Sequence, residues 1–339
     1  MEQGPIFIGG LDRTGKTLIR LALSRIPHVI ITKRTDLWIR HFNRFGDLSE
    51  PNNLDNCVNA IMAYKHIQAL KPELNRIMKD FRNGAPTYAR LFSLFHEQLA
   101  ERENKLRWGD QSELIEGFAD PILKAYPGAK FIHMIRDPRD RYSASKQKWS
   151  SGKGKAGFAT AKWIHSARLA HRNAKEYPDR YKVIRYEDLV SHPERCLEDV
   201  CSFLNEEFQP SMLLIGHMGG NREEITLPDH LQDNHFLKSF VGEYKFILSK
   251  YEIEFIQRTF PYLMLLHDYQ LIPNKFSLSE LAQYWGKHLP RNLGAFFFWF
   301  ATQANKRPPI ASTPKKKHRI KSGNADFLRN EKVGEIHYE

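Results

Sequence analysis

A glycine-rich segment near the amino terminus carries the clearest chemical signal in this sequence. Residues 10–17 read GLDRTGKT, which matches the pattern G-x-x-x-x-G-K-[ST] of phosphate-binding loops. The segment follows an apolar run at residues 6–9 and precedes a helical pattern, as such loops do. Backbone N–H groups at a helix start attract anions, while Lys16 and Arg13 add positive charge and Thr17 adds a hydroxyl donor. The segment therefore predicts a site for a phosphate-type ligand.

The loop by itself is also typical of enzymes that use ATP. An ATP-dependent small-molecule kinase would hold Mg²⁺ with the loop threonine and with an aspartate that ends a second apolar strand. Residues 130–135, KFIHMI, predict that strand, but Arg136 follows it and Asp137 comes one position later. A cation at the strand end suits a second anionic group better than a metal ion. The kinase is therefore the alternative prediction, and no metal site is predicted.

Four segments together resemble the sulfotransferases that use 3′-phosphoadenosine 5′-phosphosulfate (PAPS). Residues 10–17 resemble the family's phosphosulfate loop, in the style of its tyrosylprotein and carbohydrate branches. Residues 135–143, IRDPRDRYS, resemble its 3′-phosphate motif, and residues 185–189, RYEDL, resemble a segment near the adenine. Residues 238–244, KSFVGEY, resemble a late element that closes over the 3′-phosphate. The four matches occur in the family's order, and the resemblance spans roughly residues 5–270.

This resemblance implies a set of donor-binding residues, with PAPS as co-substrate and 3′-phosphoadenosine 5′-phosphate (PAP) as product. The implied residues are Arg13, Thr14, Gly15, Lys16, Thr17, Arg136, Ser143, Ser145, Tyr186 and Lys238. Ser143 and Ser145 are alternatives, because the family's usual spacing from Arg136 ends at Ala144. The implied acceptor is a hydroxyl group of a carbohydrate, a lipid, a peptide or a small molecule.

Sulfuryl transfer explains these residue types in chemical terms. Charge builds on the leaving phosphate and on the bridging oxygen, where Lys16, Arg13 and the loop N–H groups can stabilise it without a divalent metal. Many relatives have an active-site lysine where this chain has Gln111, so Lys16 is the candidate to supply that charge.

A base must also take the proton of the acceptor hydroxyl. The branch with the most similar loop places a glutamate shortly after the first helix, whereas this chain has cations there and Asp36 slightly later. Asp36 is therefore the predicted base, with His133 and Asp110 as alternatives. Acceptors are expected to enter through variable segments at residues 35–52, 150–157 and 218–229.

Strand and helix patterns alternate along the chain and predict an α/β fold with a central, mainly parallel sheet. Together with the resemblance, this implies a three-layer fold of the P-loop NTPase type. Short strands are predicted at residues 6–9, 28–32, 130–135 and 181–184. Helices are predicted at residues 53–70, 86–103, 121–126, 140–148, 158–176, 193–204, 230–243 and 248–260. A loop is predicted at residues 150–157, which are rich in glycine and serine.

Charge and composition divide the chain into three predicted parts. These are a sulfotransferase-like domain at residues 1–272, a helical aromatic appendage at 273–305 and a basic tail at 306–339. The net charge is +12, but seven of the cations lie within residues 306–321, where no acid occurs. The remaining chain is only mildly basic, which argues against nucleic acid as a partner and suits an anionic nucleotide.

The aromatic run at residues 296–300 is expected either to pack against its own domain or, with the basic tail, to contact an anionic membrane surface. No apolar run has the ~20 residues needed to cross a bilayer, and residues 5–9 begin too early to follow a signal peptide. Three cysteines without a C-x-x-C pair predict reduced thiols and no cysteine-based zinc site. A cytoplasmic protein is therefore expected.

Overall fold

The computed structural model describes residues 3–148, 156–214 and 240–304. All three stretches belong to one compact unit that spans residues 1–308. The predicted basic tail and Lys238 lie outside the described residues, and so do most of the loop predicted at 150–157 and of the helix predicted at 230–243. The fold and the site below are therefore built from the described stretches.

Five parallel strands form the central sheet, in the order β2-β3-β1-β4-β5. The strands are β1 (Ile6–Gly10), β2 (Val29–Lys33), β3 (Arg107–Gln111), β4 (Lys130–Ile135) and β5 (Tyr181–Arg185). The strand that leads into the glycine-rich loop is central, since Ile8 pairs with Gln111 on one side and with Ile132 on the other. The carboxyl ends of all five strands meet at one edge of the sheet, which is where ligands bind in folds of this kind.

Helices cover both faces of the sheet, so the predicted three-layer α/β fold is confirmed. The helices of the first half are α1 (Lys16–Leu23), α2 (Leu37–His41), α3 (Pro51–Met62), α4 (Lys65–Gln68), α5 (Leu74–Arg82), α6 (Tyr88–Arg102) and α7 (Ala119–Ala125). Those that follow are α8 (Pro138–Lys148), α9 (Ala156–Glu176), α10 (Tyr186–Ser191), α11 (Pro193–Leu204), α12 (Tyr244–Ile247), α13 (Lys250–Thr259), α14 (Pro261–Leu266), α15 (Leu278–Gln283) and α16 (Leu289–Ala304). The single helix predicted at residues 53–70 is wrong in extent, because the chain forms α3 and α4 there.

Alternation along β1 shows how the layers are built. Phe7 faces one side of the sheet, where it packs with Phe92 of α6 and with Phe131. Ile6 and Ile8 face the other side, in an apolar cluster that also contains residues of α1, α10 and α11. Because both faces are covered, β1 is buried along its whole length.

Strand β3 was not among the strands that the sequence pattern predicts. Its sequence RWGDQ contains one apolar residue, yet all five residues are buried. Hydrogen bonds satisfy its polar side chains: Arg107 Nη1 donates to Glu206 Oε1 at 2.6 Å, and Asp110 accepts bonds from three hydroxyl groups. Hydrophobic periodicity cannot detect a buried strand of this composition.

The carboxyl-terminal helix α16 packs against α9. Gly157 of α9 lies so close to Asn292 that a Cβ at Gly157 would stand 1.8 Å from the Asn292 carbonyl oxygen. Phe296 and Trp299 are buried in a cluster with residues of α9 and α13, whereas Phe297 and Phe298 are each 63% exposed. Among the described residues, no helix has the length and apolar content required to span a membrane.

Candidate functional site

The glycine-rich loop joins β1 to α1, and its glycines hold conformations that other residues rarely adopt. Gly10 has φ of 109° and Gly15 has φ of 88°. A Cβ at Gly10 would lie 2.2 Å from the Met134 carbonyl oxygen, and one at Gly15 would lie 2.7 Å from the Tyr186 ring. Within the described part of the chain, the backbone N–H groups of residues 13–17 donate no hydrogen bond. The loop therefore presents a series of free donors, as an anion site requires.

Lys16 lies inside this loop and is 7% exposed. Its ammonium donates to the Gly10 carbonyl oxygen. Burial lowers the pKa of Lys16 to about 8, although the negative charges of Glu113 and Glu116 act in the opposite direction. An anion bound at the loop would favour the charged form of this lysine. Arg13, by contrast, is exposed, with φ of 63°.

Arg136 leaves the end of β4 and reaches the same loop. Its Nη1 donates to the Arg13 carbonyl oxygen at 3.2 Å, and its Nη2 donates to the Phe240 carbonyl oxygen at 2.6 Å. The guanidinium lies 4.3 Å from the centre of the Tyr186 ring. All four segments that resemble sulfotransferase motifs thus meet at Arg136, the fourth through Phe240.

The two alternative serines have different surroundings on α8. Ser143 is fully buried and donates to the Asp140 carbonyl oxygen, within its own helix. Ser145 donates to Asp12 Oδ2 at 3.2 Å and so contacts the glycine-rich loop. Asp12 is also paired with Arg141. Although burial acts to raise it, Arg141 and Lys162 hold the pKa of Asp12 well below its usual range.

Asp137 is the carboxylate that a kinase would need beside this loop. Asp137 is instead paired with Arg139. Arg139 Nε donates to Asp137 Oδ1 at 3.0 Å, and Arg139 Nη2 donates to Asp137 Oδ2 at 2.7 Å. This bidentate pair uses both carboxylate oxygens. The arrangement does not favour the kinase alternative.

Asp36 stands between β2 and α2 with φ of 51°. Its backbone N–H donates to Ser112 Oγ at 3.0 Å, and its Oδ2 accepts a hydrogen bond from the Tyr64 hydroxyl at 2.9 Å. Burial raises the pKa of Asp36, and the bond from Tyr64 opposes that effect. Among the residues that the structure describes, its carboxylate contacts Tyr64 and Arg40 and no residue of the loop.

The two alternative bases are enclosed. Asp110 has no exposed surface and accepts hydrogen bonds from Thr32, Thr35 and Ser112 at 2.7–2.9 Å. His133 also has no exposed surface; one ring nitrogen lies 2.6 Å from the Tyr181 hydroxyl and the other lies 3.0 Å from Ser166 Oγ. The structure thus surrounds both side chains with protein partners.

Two further carboxylates lie beside the loop, after β3, and sequence reasoning did not single them out. Glu116 is buried and accepts hydrogen bonds from the Gly10 N–H at 2.9 Å and from Ser166 at 2.6 Å. Glu113 is paired with Lys162 of α9 at 2.7 Å. Recognising β3 as a strand would have placed both residues at the ligand-binding edge of the sheet.

Comparison with known proteins identifies the family. A family model described as the sulfotransferase family matches residues 5–210. The chain belongs to the sulfotransferase family. It is 25% identical over 218 residues to a protein-tyrosine sulfotransferase of Drosophila melanogaster, a match that covers 62% of this chain and 40% of the relative. It is 29% identical over 237 residues to protein-tyrosine sulfotransferase 1 of Danio rerio, covering 63% of this chain and 58% of that relative.

These sulfotransferase relatives are longer than the region that matches, since the chain spans less than two thirds of each. A solved sulfotransferase domain from the curacin biosynthetic pathway has a similar fold, with a TM-score of 0.51 and 21% identity. That similarity covers 79% of this chain and 99% of the solved domain. The family resemblance seen in the sequence motifs is confirmed.

Proposed function

We propose that this enzyme transfers a sulfuryl group from PAPS to an acceptor hydroxyl. The observation that carries the proposal is the position of Arg136, which joins the glycine-rich loop to the Tyr186 ring at 4.3 Å. This arrangement offers two neighbouring anion sites, one at the loop N–H groups and one at the Arg136 guanidinium. A donor with phosphate groups on both the 5′ and the 3′ side of its ribose would use both.

Each donor-binding residue has a role in this proposal. The loop N–H groups with Thr14, Gly15 and Thr17 would hold the 5′ phosphosulfate, and Lys16 and Arg13 would stabilise charge on the leaving phosphate. At the other end of the donor, four side chains would contact the 3′-phosphate and the adenine. Arg136, Lys238 and one of Ser143 and Ser145 would bind the 3′-phosphate, and Tyr186 would lie near the adenine. Ser145 is favoured over Ser143 because its hydroxyl already reaches the loop, at Asp12.

The acceptor belongs to the hydroxyl class, and a peptidyl tyrosine is the first acceptor to test. Its support is that two relatives are named as protein-tyrosine sulfotransferases. Carbohydrate, lipid and small-molecule hydroxyls are the other candidates. Asp36 is the base proposed from the sequence. Of the three predicted acceptor segments, residues 35–52 are described, and the carboxylate of Asp36 lies within them.

We also propose a location for the protein and for its carboxyl-terminal region. The free cysteines Cys57, Cys196 and Cys201 suit a cytoplasmic protein. The predicted appendage at residues 273–305 would contact an anionic membrane surface through Phe297 and Phe298, helped by the basic run that follows. Co-sedimentation with phosphatidylserine vesicles tests this contact. Replacing both phenylalanines by serine should abolish it, and unchanged binding would contradict it.

Titration calorimetry with PAP and, separately, with ATP tests the main proposal. Each nucleotide is titrated with Mg²⁺ and with a chelator. We expect PAP to bind with the same affinity in both conditions and ATP to bind weakly, because the site relies on backbone donors and side-chain cations. Tight binding of ATP that requires Mg²⁺, with no response to PAP, would overturn the proposal.

A further inference from the structure

Glu113 is a partly exposed carboxylate beside the glycine-rich loop. It follows β3 by two residues, at the edge of the sheet where the glycine-rich loop begins. Lys162 of α9 contacts Glu113 Oε1 at 2.7 Å and Asp12 Oδ1 at 3.7 Å. One ammonium group therefore links the Glu113 carboxylate to a residue of the loop itself.

The charge of Glu113 also acts on the lysine that would stabilise charge on the donor. Among the charges that favour the protonated form of Lys16, that of Glu113 is the strongest, ahead of those of Glu116 and Asp12. The Glu113 carboxylate therefore acts electrostatically on the Lys16 ammonium. Glu113 thus carries negative charge beside the loop that would hold the phosphosulfate group.

Accessibility separates Glu113 from Glu116, while the partly exposed carboxylate of Asp12 is paired with both Arg141 and Lys162. The side chain of Glu113 is 30% exposed, whereas that of Glu116 is fully enclosed. Asp36 is partly exposed as well, but its carboxylate is held by Tyr64 and Arg40 on the side of α2 and α4. A base must reach an incoming hydroxyl, and Glu113 combines access with a link to the loop through Lys162.

We propose that Glu113, rather than Asp36, is the base that takes the proton of the acceptor hydroxyl. This inference rests on the proposed function. In the step it serves, the acceptor oxygen forms a bond to sulfur while the bond from sulfur to the phosphate oxygen of PAPS breaks. The electron pair of that bond leaves with PAP, and the hydroxyl proton moves to Glu113. Lys162 is a positioning residue that holds the carboxylate at the loop.

The test compares Glu113→Gln with the matched variant Asp36→Asn in the full chain. Transfer of ³⁵S from labelled PAPS is measured with two acceptors, a tyrosine-containing peptide and water. PAP affinity is measured for every variant by calorimetry. We expect Glu113→Gln to lower kcat by ~10²–10⁴-fold for the peptide and for hydrolysis, with PAP bound at least as tightly as by the unaltered chain. Asp36→Asn should lower kcat by a smaller factor than Glu113→Gln does, because the Asp36 carboxylate is held by Tyr64 and Arg40.

A pH profile and a conservative variant separate catalysis from structure. The fall in kcat at acidic pH should disappear in Glu113→Gln and persist in Glu113→Asp, since aspartate keeps the carboxylate. Normal turnover by Glu113→Gln, or a large loss in Asp36→Asn instead, would overturn the assignment while leaving the proposed function intact. If the unaltered chain bound no PAP, the proposed function would fail, and the assignment would fail with it.

Discussion

Arg136 contacts two of the segments that would bind the donor. It touches the loop backbone and the Tyr186 ring, and its Nε is buried without a hydrogen bond among the described residues. A buried, incompletely bonded guanidinium is an unfavourable arrangement unless an anion completes it. The proposed 3′-phosphate of the donor supplies that anion. The same reasoning explains why an arginine, with its fixed fork of donors, stands at this strand end.

Replacing Arg136 by alanine should therefore weaken PAP binding. One charge-assisted pair with a phosphate contributes about 1.5–3 kcal/mol, so the dissociation constant should rise roughly 10- to 150-fold. Calorimetric titration with PAP measures this change. Arg195→Ala, which removes an exposed cation of α11, is the control and should leave the affinity unchanged. Equal affinity for both variants would remove Arg136 from the donor site.

Glu187, which lies next to Arg136, makes the stability of the fold depend on pH. Its Oε1 accepts the N–H of Asp137, the residue after Arg136, at 3.0 Å, and its Oε2 lies 3.2 Å from the Tyr269 hydroxyl. Burial raises the pKa of Glu187 from 4.5 to about 7. The folded chain thus retains this proton at a pH where the unfolded chain has lost it, so the contribution to stability is complete below about pH 4.5 and declines as the pH rises to about 7.

We expect Glu187→Gln to remove this dependence, because the amide resembles the protonated acid. Between pH 5 and pH 8, the free energy of unfolding of the unaltered chain should fall relative to that of the variant by an amount on the order of 2–3 kcal/mol. Urea denaturation at both pH values measures the difference. Asp188→Asn, a change at the exposed neighbour, should behave like the unaltered chain. Parallel pH profiles for Glu187→Gln and the unaltered chain would contradict the expectation.

At the scale of elements, β3 shows what hydrophobic patterns leave out. The strands with apolar sequences could be predicted, because runs of β-branched and aromatic residues indicate strands. Strand β3 is held by polar side chains, and their partners Thr32, Thr35 and Glu206 come from distant parts of the sequence. Such long-range hydrogen bonds have no local signature. The carboxylates Glu113 and Glu116 were missed for the same reason.

Replacing Asp110 by alanine tests how strongly these hydrogen bonds hold β3 in the sheet. The change removes an acceptor from three buried hydroxyl groups, of which that of Thr32 keeps its bond to the Gly109 carbonyl oxygen. It should lower the free energy of unfolding by about 2–4 kcal/mol. Asp110→Asn retains an acceptor oxygen and should lose less. Urea denaturation of the two variants measures both effects. If the alanine variant were as stable as the unaltered chain, packing alone would account for β3.

At the scale of the whole molecule, the predictable part of the site is the part whose chemistry is local in sequence. The glycines of the loop at residues 10–17 predict an anion site, and the position of Arg136 at a strand end predicts a second one. The choice between Ser143 and Ser145 depends instead on where α8 lies relative to Asp12. The surroundings of Asp36 likewise depend on Tyr64, which comes 28 residues later. Geometry of this kind is decided by packing and not by spacing.

The contact between α9 and α16 decides how firmly the predicted appendage is tied to the sulfotransferase-like domain. Gly157 allows the backbone of Asn292 to approach, and its N–H donates to Asn292 Oδ1 at 3.3 Å. A methyl group at Gly157 would collide with that backbone, so the two helices would have to separate. Separation would expose Phe296 and Trp299, which are buried in the present packing.

Gly157→Ala should therefore destabilise the protein, by about 1–3 kcal/mol, as overpacking of close contacts does. Gly294→Ala is the matched control on α16, since a Cβ there meets no atom within 4 Å, and the better helix propensity of alanine should add about 0.5–1 kcal/mol. Thermal unfolding ranks the variants, and hydrogen exchange over residues 289–302 shows whether α16 is released. Equal stability for both variants, with unchanged exchange, would mean that α16 is not anchored at Gly157.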